Sequence, residues 1–336
     1  MNLLKYICLP GLLASGDIQT VSAVESKTDK NPNILVILID DAGYNDFGFM
    51  GSKEMQTPNI DALTSEGVVF TDAHVAATVS SPSRACLITG RYGHRFGYEC
   101  NLSDRTNGLP LEEETIAEVF KTNGYRTAAI GKWHLGSRDE QHPNNRGFDL
   151  FYGMKAGGRD YFYNEKKSDR PGDERNLLLN DRQVKFEKYL TDAFSEKAVE
   201  FINESSQPFM MYLAYNAVHT PMQATDEDMA KFEGHPRQKL AAMTYALDRG
   251  VGTVIRGLKD SGKFDNTLIF FLSDNGGATT NQSSNYPLKG FKGNKFEGGH
   301  RVPYFVVWKN GIPAGKPYDG LGSSLDIFAT AIDAAG

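Results

Sequence analysis

The chain reads as an α/β protein with a mainly parallel central sheet and helices on both faces. Two runs of apolar residues, Ile34-Leu35-Val36-Ile37-Leu38-Ile39 and Thr267-Leu268-Ile269-Phe270-Phe271-Leu272, lack the alternation of a half-exposed strand. They suit strands covered on both sides, as in parallel sheets. Segments with helix start and stop signals fall between them. The 336 residues, 40% hydrophobic and 23% charged, are an ordinary globular mixture, long enough for one large α/β domain.

The elements follow in chain order. Met1 to about Ala23 read as an export signal, with Lys5 early, an apolar stretch through Leu12, Leu13 and Ala14, and Val21-Ser22-Ala23 as a small-residue cleavage site. That stretch is too short to span a membrane. The protein is therefore expected to be exported, periplasmic or extracellular, with residues 24–32 as a linker and one α/β domain over 33–336. After the strand at Ile34–Ile39, the segment Thr57 to Gly67 reads as a helix with a Thr cap, Pro58 in its first turn and a closing Gly. Ser83 and Arg84 open another toward Thr89, with Pro82 near its start. Glu113 to Asn123, closed by Gly124, is a third helix, and Thr127-Ala128-Ala129-Ile130 is a short strand. Helices over Thr191 to Asn203 and about Gln238 to Lys259 flank an apolar run beginning at Phe209, and the strand at 267–272 follows. A net charge of −6, from 36 basic and 42 acidic residues, argues against a nucleic-acid groove. Of the cysteines, Cys86 and Cys100 fall in the mature chain, and sequence alone assigns no disulfide.

Polar residues collect just beyond the strands, where open α/β sheets gather their ligands. Asp40 and Asp41 follow the first strand, and Ser273-Asp274-Asn275-Gly276-Gly277 the last. Singly, each reads as a capped or tight turn. Together they offer three carboxylates and one amide oxygen, a hard-oxygen set suited to Ca2+, with Mg2+ the lesser candidate, and without the Cys or His that zinc favours. Lys132 and His134 lie in Gly131-Lys132-Trp133-His134-Leu135-Gly136, just past the strand at 127–130. Without further context, packing around Trp133 is their plainer reading, and a structural role is the plainer one for His219.

Thr78-Val79-Ser80-Ser81-Pro82-Ser83-Arg84-Ala85-Cys86-Leu87-Ile88-Thr89-Gly90-Arg91-Tyr92 contains the pattern S-x-P-S-R-x-x-L-x-T-G-R. It resembles the sulfatase signature. Over about residues 31 to 336, the resemblance implies an alkaline-phosphatase-like fold and hydrolysis of sulfate esters. It implies that Ser80 is oxidised to formylglycine, whose hydrate is the nucleophile. Ser in place of the commoner Cys implies a radical-type anaerobic maturase as a partner acting on Ser80. The metal is then held by Asp40, Asp41, Asp274 and Asn275 with the residue at Ser80. By the same resemblance Lys132 touches nucleophile and sulfate, and His134 lies beside the hydrate. His219, in His-x-Pro, protonates the leaving oxygen. Lys292 contacts sulfate, within a segment from Lys289 to Pro303 similar to the family's K/R-G-x-K-G-x-x-x-E-G-G-x-R-V-P; His300 stands where most relatives are apolar. Arg84 is expected to hold the nucleophile's alkoxide and the metal-bound carboxylates through its fixed fork of donors. Ser80 is expected at a helix N-terminus, which favours an anion.

The substrate is expected to be a sulfated saccharide of glycosaminoglycan, mucin or algal type, with an aryl ester as an alternative. Candidate contacts are Arg159 and Asp160, in the aromatic-rich Gly157 to Tyr163, and His94 and Arg95. Two rival readings stand beside this one. One is a phosphomonoesterase or phosphodiesterase using unmodified Ser80 on two metals; the other is a fragment that binds sulfated glycans without turnover. Sulfatases usually continue past the segment resembling Ser324 to Gly336 into a small C-terminal domain, so that subdomain is expected to be absent.

Overall fold

The computed structural model describes residues 31–101 and 108–336; the expected export signal and most of the linker lie outside the described residues. One ten-stranded sheet is formed by β1 (Asn33–Ile39), β2 (Val68–His74), β3 (Arg126–Lys132), β4 (Leu150–Met154), β5 (Leu178–Leu179), β6 (Arg182–Gln183), β7 (Phe209–Ala214), β8 (Thr267–Ser273), β9 (Tyr304–Val307) and β10 (Tyr318–Ser323). The helices are α1 (Pro58–Thr64), α2 (Ser80–Thr89), α3 (Ile116–Thr122), α4 (Leu190–Glu204), α5 (Asp226–Ala230), α6 (Gln238–Asp260), α7 (Glu297–His300) and α8 (Asp326–Ala335). The strand order is β10-β2-β9-β8-β1-β7-β3-β4-β5-β6.

The five central strands, β8-β1-β7-β3-β4, are all parallel. Toward the edges the sheet becomes mixed: β9 runs antiparallel to both β8 and β2, and β5 and β6 are antiparallel. The expected mainly parallel central sheet is thus present, with antiparallel strands added on either side of it and a further parallel pair, β10 with β2, at one margin. A parallel return needs a crossover that packs on the sheet, and the segment between β8 and β9 contributes only a 3-10 turn at Thr279–Asn281 and the single turn of α7.

Successive side chains of β1 point to opposite faces. Leu35, Ile37 and Ile39 join the layer packed by α1, α4 and α6. Ile34, Val36 and Leu38 join the layer packed by α2, α3 and α8. Every residue of β1, β7 and β8 is buried. Each large apolar side chain so placed contributes about 1.5–3 kcal/mol, and a one-residue slip would turn the set inside out. Register is thus fixed, and with it the positions of the polar residues at the strand ends.

Helix boundaries differ from expectation where side chains intervene. The Thr57 hydroxyl donates to Asp61 Oδ1 at 3.0 Å and accepts from Gly48 N at 2.9 Å, so it does not cap α1. Helix α3 starts at Ile116 because Thr115 and Glu118 form a reciprocal capping box. Helix α2 starts at Ser80, three residues before the expected Ser83, and is buried along its whole length. Cys86 and Cys100 are both free thiols. No helix among the described residues is long and apolar enough to cross a membrane.

Candidate active site

Neighbouring parallel strands lie about 4.8 Å apart, so the order β8-β1-β7-β3 sets the carboxyl ends of four strands in a row. Asp274 and Asn275 leave β8, Asp40 and Asp41 leave β1, His219 lies beyond β7, and Lys132 ends β3. Backbone bonds stitch these ends together. Asp274 N donates to Ile39 O at 2.8 Å, Asp40 N to Ala217 O at 2.9 Å, and Val218 N to Asp40 O at 2.8 Å. Asp41 is left-handed, with φ 62°, a conformation costing roughly 1–2 kcal/mol for a residue with a Cβ. Its N–H donates to Asp274 Oδ1 at 3.2 Å, while its carbonyl accepts from Asn281 Nδ2 at 3.1 Å and Ser283 Oγ at 3.0 Å. These bonds offset the strain and aim the carboxylate into the site.

Ser80 is the first residue of α2, and its Oγ lies 3.2 Å from Asp40 Oδ1 and 3.1 Å from Asn275 Oδ1. Asn275 Nδ2 donates to Asp41 Oδ1 at 2.8 Å, which turns the amide oxygen toward the serine. One turn along α2, Arg84 Nε and Nη2 donate to Asp274 Oδ2 at 3.0 and 2.8 Å, and Nη1 donates to Lys132 O at 3.1 Å. Its Nη2 is also 3.7 Å from Asp40 Oδ1, so a single guanidinium bridges carboxylates from opposite ends of the sequence. Lys132 Nζ donates to Asp40 Oδ2 at 2.6 Å, with both side chains sealed from solvent. Lys292 reaches Asp41 Oδ1 at 2.6 Å and remains 20% exposed.

Burial alone would raise the Asp40 carboxyl, but Lys132, His219, Arg84 and Lys292 outweigh it and hold the group far below the usual carboxylate range. Asp274 moves up, through burial and the negative charge of Asp40. Lys132 is pushed down by burial and by the Arg84 cation, against the pull of Asp40. For Lys292, burial is outweighed by Asp41, Asp40 and Asp274, which raise it. His134, half-buried with φ 57°, is lowered well below its ordinary value by desolvation and by Lys132 and Arg84. His219 Nδ1 lies 2.6 Å from Thr220 O. A carbonyl can only accept, so Nδ1 carries the proton, and Nε2 faces Asp41 Oδ2 at 3.7 Å.

The donor set fits a hard divalent cation. Asp40 Oδ1, Asn275 Oδ1 and Ser80 Oγ converge as above, and ligand atoms of Asp40, Asp41 and His219 lie within 4.8 Å of one another. Lys132 stands on the other oxygen of Asp40 and Lys292 on Asp41 Oδ1, supplying the positive charge the carboxylates demand.

The expected substrate contacts are distributed differently. Arg159 is buried, bonded to both oxygens of Asp169 at 2.7 and 2.9 Å and to Arg175 O at 2.8 Å, and stacked over Phe186. Asp160 is likewise internal, accepting from Ser168 Oγ at 2.5 Å and Gln223 Nε2 at 2.9 Å. Their polar groups are engaged within the protein, so they brace the loop rather than present donors to a sugar. His94 and Arg95 are exposed on a short turn, Gly93–Arg95, outside the cluster described above.

The loop's glycines, by contrast, border the site. A Cβ at Gly157 would lie 2.6 Å from His134 Nε2, and one at Gly158 would lie 3.3 Å from His219. Sequence reasoning missed these two glycines, together with Asn281 and Ser283. The only sequence signal for the latter pair is the density of hydrogen-bonding side chains from Thr279 to Asn285.

The Sulfatase family profile matches residues 32–336. The chain belongs to the sulfatase family. It is 34% identical to the uncharacterized sulfatase YdeN of Escherichia coli (strain K12), covering 93% of this chain and 64% of that one. It is also 34% identical to N-acetylgalactosamine-6-sulfatase of Canis lupus familiaris, covering 91% and 62%. This sulfatase chain thus spans a little under two thirds of the length of the curated relatives it matches. Among solved structures, Ps i-CgsB is 44% identical with a TM-score of 0.87, covering 91% of this chain and 72% of that one. Its complex with k-i-k-neocarrahexaose gives 43% and 0.85 with the same coverage. The PsFucS1 sulfatase from Pseudoalteromonas sp. is 28% identical with a TM-score of 0.77, covering 93% and 69%. The sheet and its helices are those of the alkaline-phosphatase-like sulfatase fold.

Proposed function

We propose that this chain hydrolyses sulfate esters of a carbohydrate, with Ser80 converted to formylglycine as the nucleophile and one Ca2+ as the metal. The observation that carries the reading is the meeting of Ser80 Oγ with Asp40 Oδ1 and Asn275 Oδ1, at 3.2 and 3.1 Å, beside two lysine ammoniums on the same carboxylate pair. Asp40, Asp41 and Asp274 face Arg84, Lys132 and Lys292, so these six side chains balance one another. A divalent ion gives the site an excess of two positive charges, matched to a monoanionic ester and its dianionic product.

Asp40, Asp41, Asp274 and Asn275, with the residue at 80, would hold the ion, whose chemistry is to place positive charge beside the nucleophilic oxygen and the reacting ester. Formylglycine hydrate supplies two hydroxyls on one carbon, one to attack sulfur and one to lose its proton as sulfate departs. Lys132 and Lys292 offer their ammoniums to the sulfate oxygens. His219, whose Nδ1–H is held by Thr220 O, would act as the imidazolium, passing its Nε2 proton to the leaving alkoxide and returning to the neutral Nδ1–H form. His134 is kept neutral by enclosure and by Lys132 and Arg84, which suits a proton acceptor. Arg84 keeps Asp274 and Asp40 in place, and the N-terminus of α2 adds partial positive charge at residue 80.

A carbohydrate substrate is supported by the hexaose bound to a relative 43% identical and by the amino-sugar sulfatase among the curated relatives. The reading includes export and a radical-type maturase acting on Ser80. The test is co-expression with such a maturase, mass spectrometry of the peptide containing residue 80, and sulfate release from defined sulfated oligosaccharides. Loss of two hydrogens at residue 80 together with released sulfate is the expected result. Conversion without sulfate release across the panel, or phosphate-ester turnover by intact Ser80, overturns the proposal.

A further inference from the structure

His300, on α7, does not stand alone. On β2, Asp72 and His74 are two residues apart and so share one face of the strand. Helix α7 brings Glu297 and His300 against that face: His74 Nε2 is 3.3 Å from Glu297 Oε2 and 3.8 Å from Asp72 Oδ1, and the two imidazole rings lie 5.1 Å apart. Ligand atoms of His74, Glu297 and His300 all fall within 4.8 Å of one another. Arg301 bonds to Thr71 O through Nε and Nη2, and lies 3.3 Å from both Asp72 Oδ1 and Glu297 Oε2, which fixes the carboxylates.

We propose that His74, Glu297 and His300, with Asp72 beside them, form a second metal site, for a divalent transition ion of the zinc type. Two imidazoles and a carboxylate are the ligand chemistry such ions select, unlike the all-oxygen group around Asp40. Two ligands about 2.05 Å from one ion at the tetrahedral angle stand about 3.3 Å apart, the separation of His74 Nε2 and Glu297 Oε2. Both imidazoles are half-buried, whereas Glu297 is exposed, so the site is open to loading from solvent. Its consequence is mechanical. Val75 N bonds to His300 O, Gly276 N to Gly299 O, and Gly298 N to Lys289 O. An ion clamping β2 to α7 thereby steadies the loop after β8 and the segment that carries Lys292.

The test is calorimetric titration of Zn2+ into the chain with Ca2+ saturating, repeated with Co2+ and read by its visible absorption. One equivalent of Zn2+ is expected to bind, with a tetrahedral Co2+ spectrum. His74→Ala and His300→Leu should each weaken binding by at least about tenfold, and Asp40→Asn should leave it unchanged. Circular dichroism checks that the His300→Leu variant folds. Zn2+ binding unaffected by either histidine variant, or abolished by Asp40→Asn, overturns the proposal.

Discussion

Replacing Lys292 by Ala removes a unit positive charge 2.6 Å from Asp41 Oδ1. A calcium ion coordinated by that carboxylate sits about 2.3–2.6 Å from its oxygens, hence within about 5 Å of the ammonium. Repulsion between a single and a double charge at about 5 Å is about 1.7 kcal/mol under full water screening and several times larger at an effective dielectric constant of about 20. The side chain is 20% exposed and its stem can swing aside, so the smaller figure applies. The variant should therefore bind Ca2+ about tenfold more tightly than the parent, although it loses the group proposed to hold sulfate. Isothermal titration with Ca2+ measures this, and the protein can carry unmodified Ser80 throughout. Asp41→Asn is the control and should weaken binding. Weaker Ca2+ binding in Lys292→Ala, or an unchanged constant, would refute the placement of the ion beside Asp41.

Three further outcomes are expected. Arg84→Met strands Asp274 and Asp40 in a sealed site and should destabilise the metal-free chain by about 3–5 kcal/mol, read by urea unfolding in chelator; a loss below about 1 kcal/mol would mean the carboxylates find other partners. Gly157→Ala should cut turnover sharply, because its Cβ would sit 2.6 Å from His134 Nε2, whereas Gly158→Ala, at 3.3 Å from His219, should be milder; the reverse order of steady-state rates would contradict the geometry. His134 titrates well below its ordinary 6.5 in the folded chain, so the unfolded chain takes up the proton first. Its contribution is present above that value and declines as pH falls below it. Urea unfolding of metal-free protein at about pH 7.5 and 5.5 should show this loss, with a flatter dependence in His134→Asn.

Much of the site was legible because its chemistry sits at the ends of strands with no polar residues inside. Asp40, Asp41, Asp274 and Asn275 follow runs so uniformly apolar that burial is their only stable fate, and the first polar residue after each run has to lie on the sheet's edge. The adjacency of β8, β1, β7 and β3 was not legible, since it depends on which strands pair. Arg159 and Asp160 show the limit from the other side. Charge among aromatics looks like a sugar platform, but Asp169, ten positions along the chain from Arg159, neutralises the guanidinium, and no periodicity announces that pairing. Asn281 and Ser283 were hidden for a related reason: their partner is the carbonyl of Asp41, a backbone atom that leaves no trace in composition.

The ammoniums of Lys132 and Lys292 act as placeholders. Asp40 and Asp41 are each paired with an ammonium supplied by the chain itself. On the proposed reading, an incoming divalent ion meets carboxylates that already hold counter-charges and must compete with them.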